Sequence, residues 1–188
     1  MYERHAFQPN RPRLVADACE RIDLAQSALF HSYLPTMIRA PRTEELVSLS
    51  ELCLRSKAVW GYSPDFLEAC RSELSFEQGE LALTRIAVAE RGGKVVGVAQ
   101  VKVMGNKADL LKLFVEPTAL RCGIGSRLFA WATNVARENG ATRLIIDSDP
   151  GAAPFYKGMG AYDLGQAPSA SIPGRMLPRL AISLCPAD

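Results

Sequence analysis

Long apolar runs are missing from this chain. No stretch approaches the roughly 18 residues a membrane span requires, and Asp17, Glu20, Arg21 and Asp23 interrupt the N-terminal region that a secretory leader would keep apolar. Histidine is scarce: His5 and His31 are the only two, and they stand too far apart in sequence to suggest a metal site, so no metal is expected. Charge of one sign is also lacking. With 22 Lys and Arg against 20 Asp and Glu and no basic run, the net of +2 favours neither nucleic acid nor an anionic membrane as partner. The five cysteines, Cys19, Cys53, Cys70, Cys122 and Cys185, are odd in number and never form C-x-x-C, a pattern expected of reduced thiols in a cytoplasmic protein. Internal repeats and low-complexity tracts are absent as well.

What remains is a chain of 188 residues, 48% apolar, long enough for one domain with a full core. Residues 1–12 are polar and punctuated by proline, and order is not expected there. Over 13–30, Leu14, Ala18, Ile22, Ala25 and Leu29 recur at steps of three and four, which predicts an amphipathic helix. A helix capped by Thr43 follows, with Leu46, Leu49 and Cys53 inward. After the loop AVWGYS comes a second, with Ser63 as N-cap, Pro64 in its first turn and Phe66, Leu67, Cys70 and Leu74 as its apolar side. Residues 81–90 and 94–103 read as a hairpin turning at Gly92 and Gly93, with Val95, Gly97, Ala99, Val101 and Val103 on one face. Next come a strand over 109–115, a helix with Ile124, Leu128, Trp131, Ala132 and Val135 as its stripe, and a short strand over 143–147. A short helix over 154–158 precedes closing strands over 161–165 and 176–184. This order predicts an α/β sandwich: a mixed, largely antiparallel sheet flanked by helices.

The stretch from Leu111 to Trp131, LKLFVEPTALRCGIGSRLFAW, carries the chemistry. A strand meets Pro117, then a turn with Gly123 and Gly125 that opens a helix. Free amides at such a helix start make an anion site. The dinucleotide fingerprint is excluded, because Leu128 stands where its third glycine would be, and G-x-x-x-x-G-K-[ST] occurs nowhere.

VEPTALRCGIGS resembles the acetyl-CoA signature of the GNAT acetyltransferase superfamily, V-x-P-x-x-[QR]-x-x-G-x-G-[AS], departing from it at Leu120. Downstream, DPGAAPFYKGMGA resembles the same family's N-x-x-A-x-x-F-Y-x-x-x-G-[FA] segment, with Asp149 in place of Asn. The resemblance covers 37–184, which makes residues 1–36 an extension, either an accessory element or the product of an upstream start, and 37–188 the acetyltransferase domain. It implies a splayed strand pair, 111–115 against 143–147, with pantetheine between them like an added strand. It implies acetyl-CoA as donor, with Phe114 and Val115 beside the thioester, Arg121, Cys122, Gly123, Ile124, Gly125 and Ser126 under the diphosphate, and Asp149 and Ala152 completing the cofactor side. Tyr156 falls on the tyrosine that protonates the leaving thiolate. Trp60, Tyr62 and Arg175 are candidates for the acceptor site, Tyr62 and Trp60 as walls for a cationic amine and Arg175 for an acceptor carboxylate or phosphate. Asp109 and, second to it, Glu116 are candidates for general base.

The expected reaction is direct transfer of acetyl from acetyl-CoA to a primary amine of a small molecule or peptide. A non-catalytic acyl-CoA-binding sensor or interaction domain of the same fold is the alternative, favoured by Leu120 and by the lack of an evident base. A homodimer stays open.

Overall fold

The computed structural model describes residues 35–184. The helix expected over 13–30, both histidines, Cys19 and Cys185 lie outside the described residues.

Seven strands form one sheet in the order β1-β2-β3-β4-β5-β7-β6. They are β1 (Thr36–Arg39), β2 (Arg85–Arg91), β3 (Lys94–Met104), β4 (Lys107–Val115), β5 (Arg143–Asp147), β6 (Tyr162–Pro168) and β7 (Met176–Ser183). Every pairing is antiparallel except β4 with β5. The mixed, largely antiparallel sheet flanked by helices is therefore as expected.

On one face lies α1 (Leu46–Ala58), whose Leu46, Leu49, Leu52 and Cys53 are buried against Ile86, Val88 and Val98. Its start differs from expectation. Thr43 opens a single 3-10 turn, Thr43–Glu45, and the Glu45 carboxylate accepts the Arg42 amide at 2.7 Å, so a carboxylate three residues on does the work foreseen for a threonine hydroxyl. The second helix begins as expected, with Ser63 Oγ accepting the Phe66 amide, but it is two short helices, α2 (Pro64–Ala69) and α3 (Arg71–Leu74), joined at Cys70. One more turn, α4 (Glu80–Leu83), occupies residues read as the start of β2.

The other face is covered by α5 (Ile124–Glu138). Its core side is Ile124, Leu128, Phe129, Ala132 and Ala136. Trp131 is only partly buried, and Phe129, absent from the predicted stripe, sits at the centre. The helix approaches β3 closely at Gly97, where a β-carbon would stand 2.9 Å from Leu128 and 3.0 Å from Ile124. The expected single face of β3 holds from Gly97 to Val103 only. Val96 is skipped in the β2 pairing, and this bulge turns Val95 toward the α1 side instead. The last helix, α6 (Ala153–Gly158), leads into β6.

Candidate active site

Strands β4 and β5 stay in register for four pairs, Lys107 with Arg143 through Leu110 with Ile146, and then part. At the same point Leu111 is skipped in the pairing with β3, a bulge that reverses which residues face which helix. Ala108 and Leu110 pack on the α5 side, whereas beyond the bulge Leu113 and Val115 take that side and Phe114 turns to α1. The Glu116 amide donates to Val96 of the β3 segment, so by strand alternation the amides of Leu113 and Val115 point the other way, into the gap. Val115 N–H does not stand free there, because it donates to Ser56 Oγ at 3.3 Å.

The gap widens into a cleft of about 670 Å³, walled by β4 residues 110–115, β5 residues 146–149, the turn before α5, Phe155 and Tyr156 of α6, and Lys57, Trp60, Glu73 and Leu74. At the turn, Arg121 takes a left-handed φ of 59° and Gly123 one of 77°. For a non-glycine residue that conformation costs about 1–2 kcal/mol, and here it spreads the amides of the turn outward. The first helical bond of α5 runs from Arg127 N–H to the Gly123 carbonyl. Among the described residues, no amide of residues 121–126 donates to a protein acceptor. Arg121, Gly123, Gly125 and Ser126 line the cleft, whereas Ile124 is core and Cys122 an exposed free thiol. Gly125 lies against Phe155, whose ring would be 3.4 Å from a β-carbon there. One neighbour was not foreseen: Arg91 reaches the Cys122 carbonyl at 3.5 Å.

Tyr156 lies among Phe129 at 5.5 Å and Phe155 at 5.0 Å between ring centroids. Its hydroxyl has no protein partner among the described residues, yet no side-chain polar atom there is both fully buried and unpaired. The phenol oxygen therefore keeps some contact with solvent, on a residue that lines the cleft. Burial pushes its pKa up, which keeps it protonated through the physiological range.

Asp149, expected on the cofactor side, and Tyr62 and Arg175, expected at the acceptor site, form one cluster. Asp149 accepts from Tyr62 Oη at 2.9 Å, Arg175 Nη2 at 3.3 Å, Lys57 Nζ at 3.5 Å and its own loop's Gly151 amide at 3.2 Å. Tyr62 is stacked on Phe66 at 4.1 Å, and the Arg175 guanidinium lies 5.0 Å from the Tyr62 ring centre. Burial first, and Asp149 next, raise the Tyr62 phenol above its usual range. The aromatic face foreseen for a cationic amine is thus already occupied by Arg175, whose charge is itself held by Asp149. Neither Tyr62 nor Arg175 lines the cleft; they fix Asp149, which does. Trp60 and Ala152 line it too.

The two candidate bases do not meet the cleft. Asp109 sits where β4 and β5 are still joined, opposite Ile145, and the cleft opens only beyond Leu110. Burial and the nearby Asp147 raise its pKa, but it does not line the cleft. Glu116 is held by Arg55 through two hydrogen bonds of 2.9 and 3.0 Å. Sequence reasoning missed Ser56, Lys57 and Lys112 on the walls. Glu73 stands there as well, and Ser171 of the β6–β7 loop donates to it.

The sequence profile of the acetyltransferase (GNAT) family matches residues 48–161. The chain belongs to the GNAT acetyltransferase family. No curated protein matches it by sequence. Among solved structures it resembles PaiA N-acetyltransferase from Thermoplasma acidophilum in complex with coenzyme A, at 19% identity over 80% of this chain and 99% of that one, TM-score 0.64. It also resembles the ribosomal-protein-S18-alanine N-acetyltransferase from Escherichia coli, at 18% identity over 82% and 97%, TM-score 0.60. A GNAT acetyltransferase from Brucella melitensis in complex with acetyl-CoA is similar at 19% identity over 82% and 91%, TM-score 0.58. The seven-stranded sheet with its parted β4–β5 pair is the GNAT fold.

Proposed function

We propose that this GNAT protein is an N-acetyltransferase that moves acetyl from acetyl-CoA directly to a primary amine of a small molecule or peptide. The observation that carries the reading is that Tyr156 and a turn of unpaired amides, 121–126, meet at one cleft, which Arg121, Gly123, Gly125 and Ser126 of that turn line. The residues fit the donor: outward amides and the positive end of α5 suit a diphosphate, and the gap between β4 and β5 suits an extended amide chain such as pantetheine.

In the reaction the amine nitrogen attacks the thioester carbon, the carbon–sulfur bond breaks, and the sulfur takes a proton from Tyr156 Oη. A phenol, pKa about 10, keeps its proton beside a resting thioester and yields it only as thiolate forms. The attacking nitrogen gives up one proton as the amide forms, so a neutral amine and acetyl-CoA give amide and free thiol with no net proton. An amine of pKa about 10.4 is neutral in about one molecule in a thousand near pH 7.4, a handicap of about 4 kcal/mol, and a base lowers it. Of the carboxylates on the cleft wall, Asp147 is held by Arg179 and Asp149 by four donors, whereas Glu73 meets only the Ser171 hydroxyl among the described residues. Glu73 therefore takes that proton, directly or through water.

The test is release of coenzyme A thiol from acetyl-CoA across a panel of amines, with mass spectrometry of the product. Tyr156→Phe is expected to lower kcat at least about tenfold with acetyl-CoA affinity nearly unchanged. Equal turnover would remove Tyr156 from the reaction, and binding of acetyl-CoA without thiol release for any amine would favour a binding module.

A further inference from the structure

On the α1 side of the cleft stands a charge that the transfer chemistry does not use. Lys112, two residues before Phe114 on β4 and just past the bulge, is 6% exposed and lines the cleft. Its ammonium donates to Gln100 Oε1 at 2.8 Å and lies 4.6 Å from the Phe76 ring centre. Gln100 is fully buried, and its amide is oriented by donation to Thr84 Oγ1 at 3.1 Å, so the oxygen is held toward the lysine. The nearest carboxylate, Glu80, forms an ion pair with it at 3.9 Å, longer than a hydrogen bond. A lysine has three donors, and of these one has a hydrogen-bond acceptor among the described residues.

A buried ammonium that hydrogen-bonds only a neutral amide, lies by a ring and feels Glu80, Glu73 and Glu77 without a hydrogen bond to any of them is costly to keep charged. Desolvation does lower its pKa. Apolar residues of similar length would fill the space at less cost, so the arrangement points to a use for the charge. An anion entering the cleft from the acceptor side would complete the lysine's donors in a site shielded from water, where a charge-assisted bond is strong. Glu73 on the same wall would face the ammonium of the same molecule. The separation fits a small acceptor: two residues of strand, about 7 Å, divide Lys112 from Phe114 beside the parting strands.

Resting on the N-acetyltransferase reading above, we propose that Lys112 binds the carboxylate of the acceptor, so that the amine acetylated belongs to a small amino-carboxylate such as an amino acid or short peptide. The test compares matched pairs, an amino acid and its carboxamide, as acceptors in the thiol-release assay, and N-acetyl amino acids against N-acetyl amino amides for calorimetric binding to the coenzyme A complex. The second measurement needs no turnover. Expected is a preference of about tenfold or more for the carboxylate in both, abolished in Lys112→Met and partly kept in Lys112→Arg, with acetyl-CoA affinity unchanged. Equal affinity for acid and amide in the parent protein, or a preference that survives Lys112→Met, overturns the proposal. Brisk acetylation of amines without a carboxylate, with amino acids ignored, overturns it while leaving the N-acetyltransferase reading intact. If Lys112→Met fails to fold, the parent's acid-against-amide comparison still decides.

Discussion

Gly151 has no room for a β-carbon. One built there would stand 2.6 Å from two carbons of the Trp60 indole, a side chain itself 48% exposed and thus free to swing away. The absence of a side chain at 151 sets where the indole rests on the cleft wall, against the turn that carries Asp149. Gly151→Ala is therefore expected to displace Trp60 and raise the acceptor KM several-fold, with acetyl-CoA KM and Tm nearly unchanged. Steady-state kinetics and tryptophan emission measure this, and an unaltered acceptor KM would show that the indole plays no part in the site. At this scale sequence reading found Tyr156, Asp149 and the glycine turn, since these lie in short segments whose spacing is itself the signal. It missed Lys112 and Ser56, because each gains its meaning from a neighbour far away in the chain: Gln100 and the Val115 amide. It also misjudged Tyr62 and Arg175. An aromatic and a guanidinium read separately look available to a ligand, yet each is spent on the other.

Between elements, the first edge of the sheet is tied by charge. Arg39 of β1 contacts Glu45 at 2.7 Å and Glu90 of β2 at 2.6 Å, while Glu45 also accepts the Arg42 amide. The Arg39 bond, with that amide, holds the Glu45 carboxyl down at about 2, from 4.5. A carboxyl whose folded pKa is depressed adds stability above its unfolded value and loses it as acid is added. Stability should thus fall between about pH 5 and pH 2, by an amount on the order of 1–3 kcal/mol from this group. Glu45→Gln is expected to lower stability at pH 7 by a similar amount and to flatten that part of the profile, read by denaturant unfolding at each pH. A profile equally steep in the variant would assign the acid sensitivity elsewhere. The elements themselves were largely legible: α1, α5 and the β2–β3 hairpin carry strong periodicity. Where reading slipped, a bulge or a break intervened. The skips at Val96 and Leu111 reverse side-chain facing without changing composition, and Cys70 divides one apolar stripe between two helices.

For the molecule as a whole, a donor that fills the gap between β4 and β5 stabilises the folded state by mass action. Acetyl-CoA at one hundred times its Kd would add about 2.7 kcal/mol, which for a domain of this size raises Tm by roughly 5–10 °C. Differential scanning fluorimetry with and without acetyl-CoA reads this directly, and an unmoved Tm at saturating ligand would count against the cofactor site. Overall architecture was legible because the order of helices and strands admits few layer arrangements. The parting of β4 from β5 was not visible in their residues, since both runs look like ordinary strands, and came only through the family resemblance. Four residue pairs are all that bind the β1–β4 leaf to the β5–β7 leaf by strand ladder, so the protein is like a book with a short spine. Any tolerance for acyl chains bulkier than acetyl would then come from how far its covers flex, and a clamp across the open margin would narrow the range of donors before it touched the chemistry.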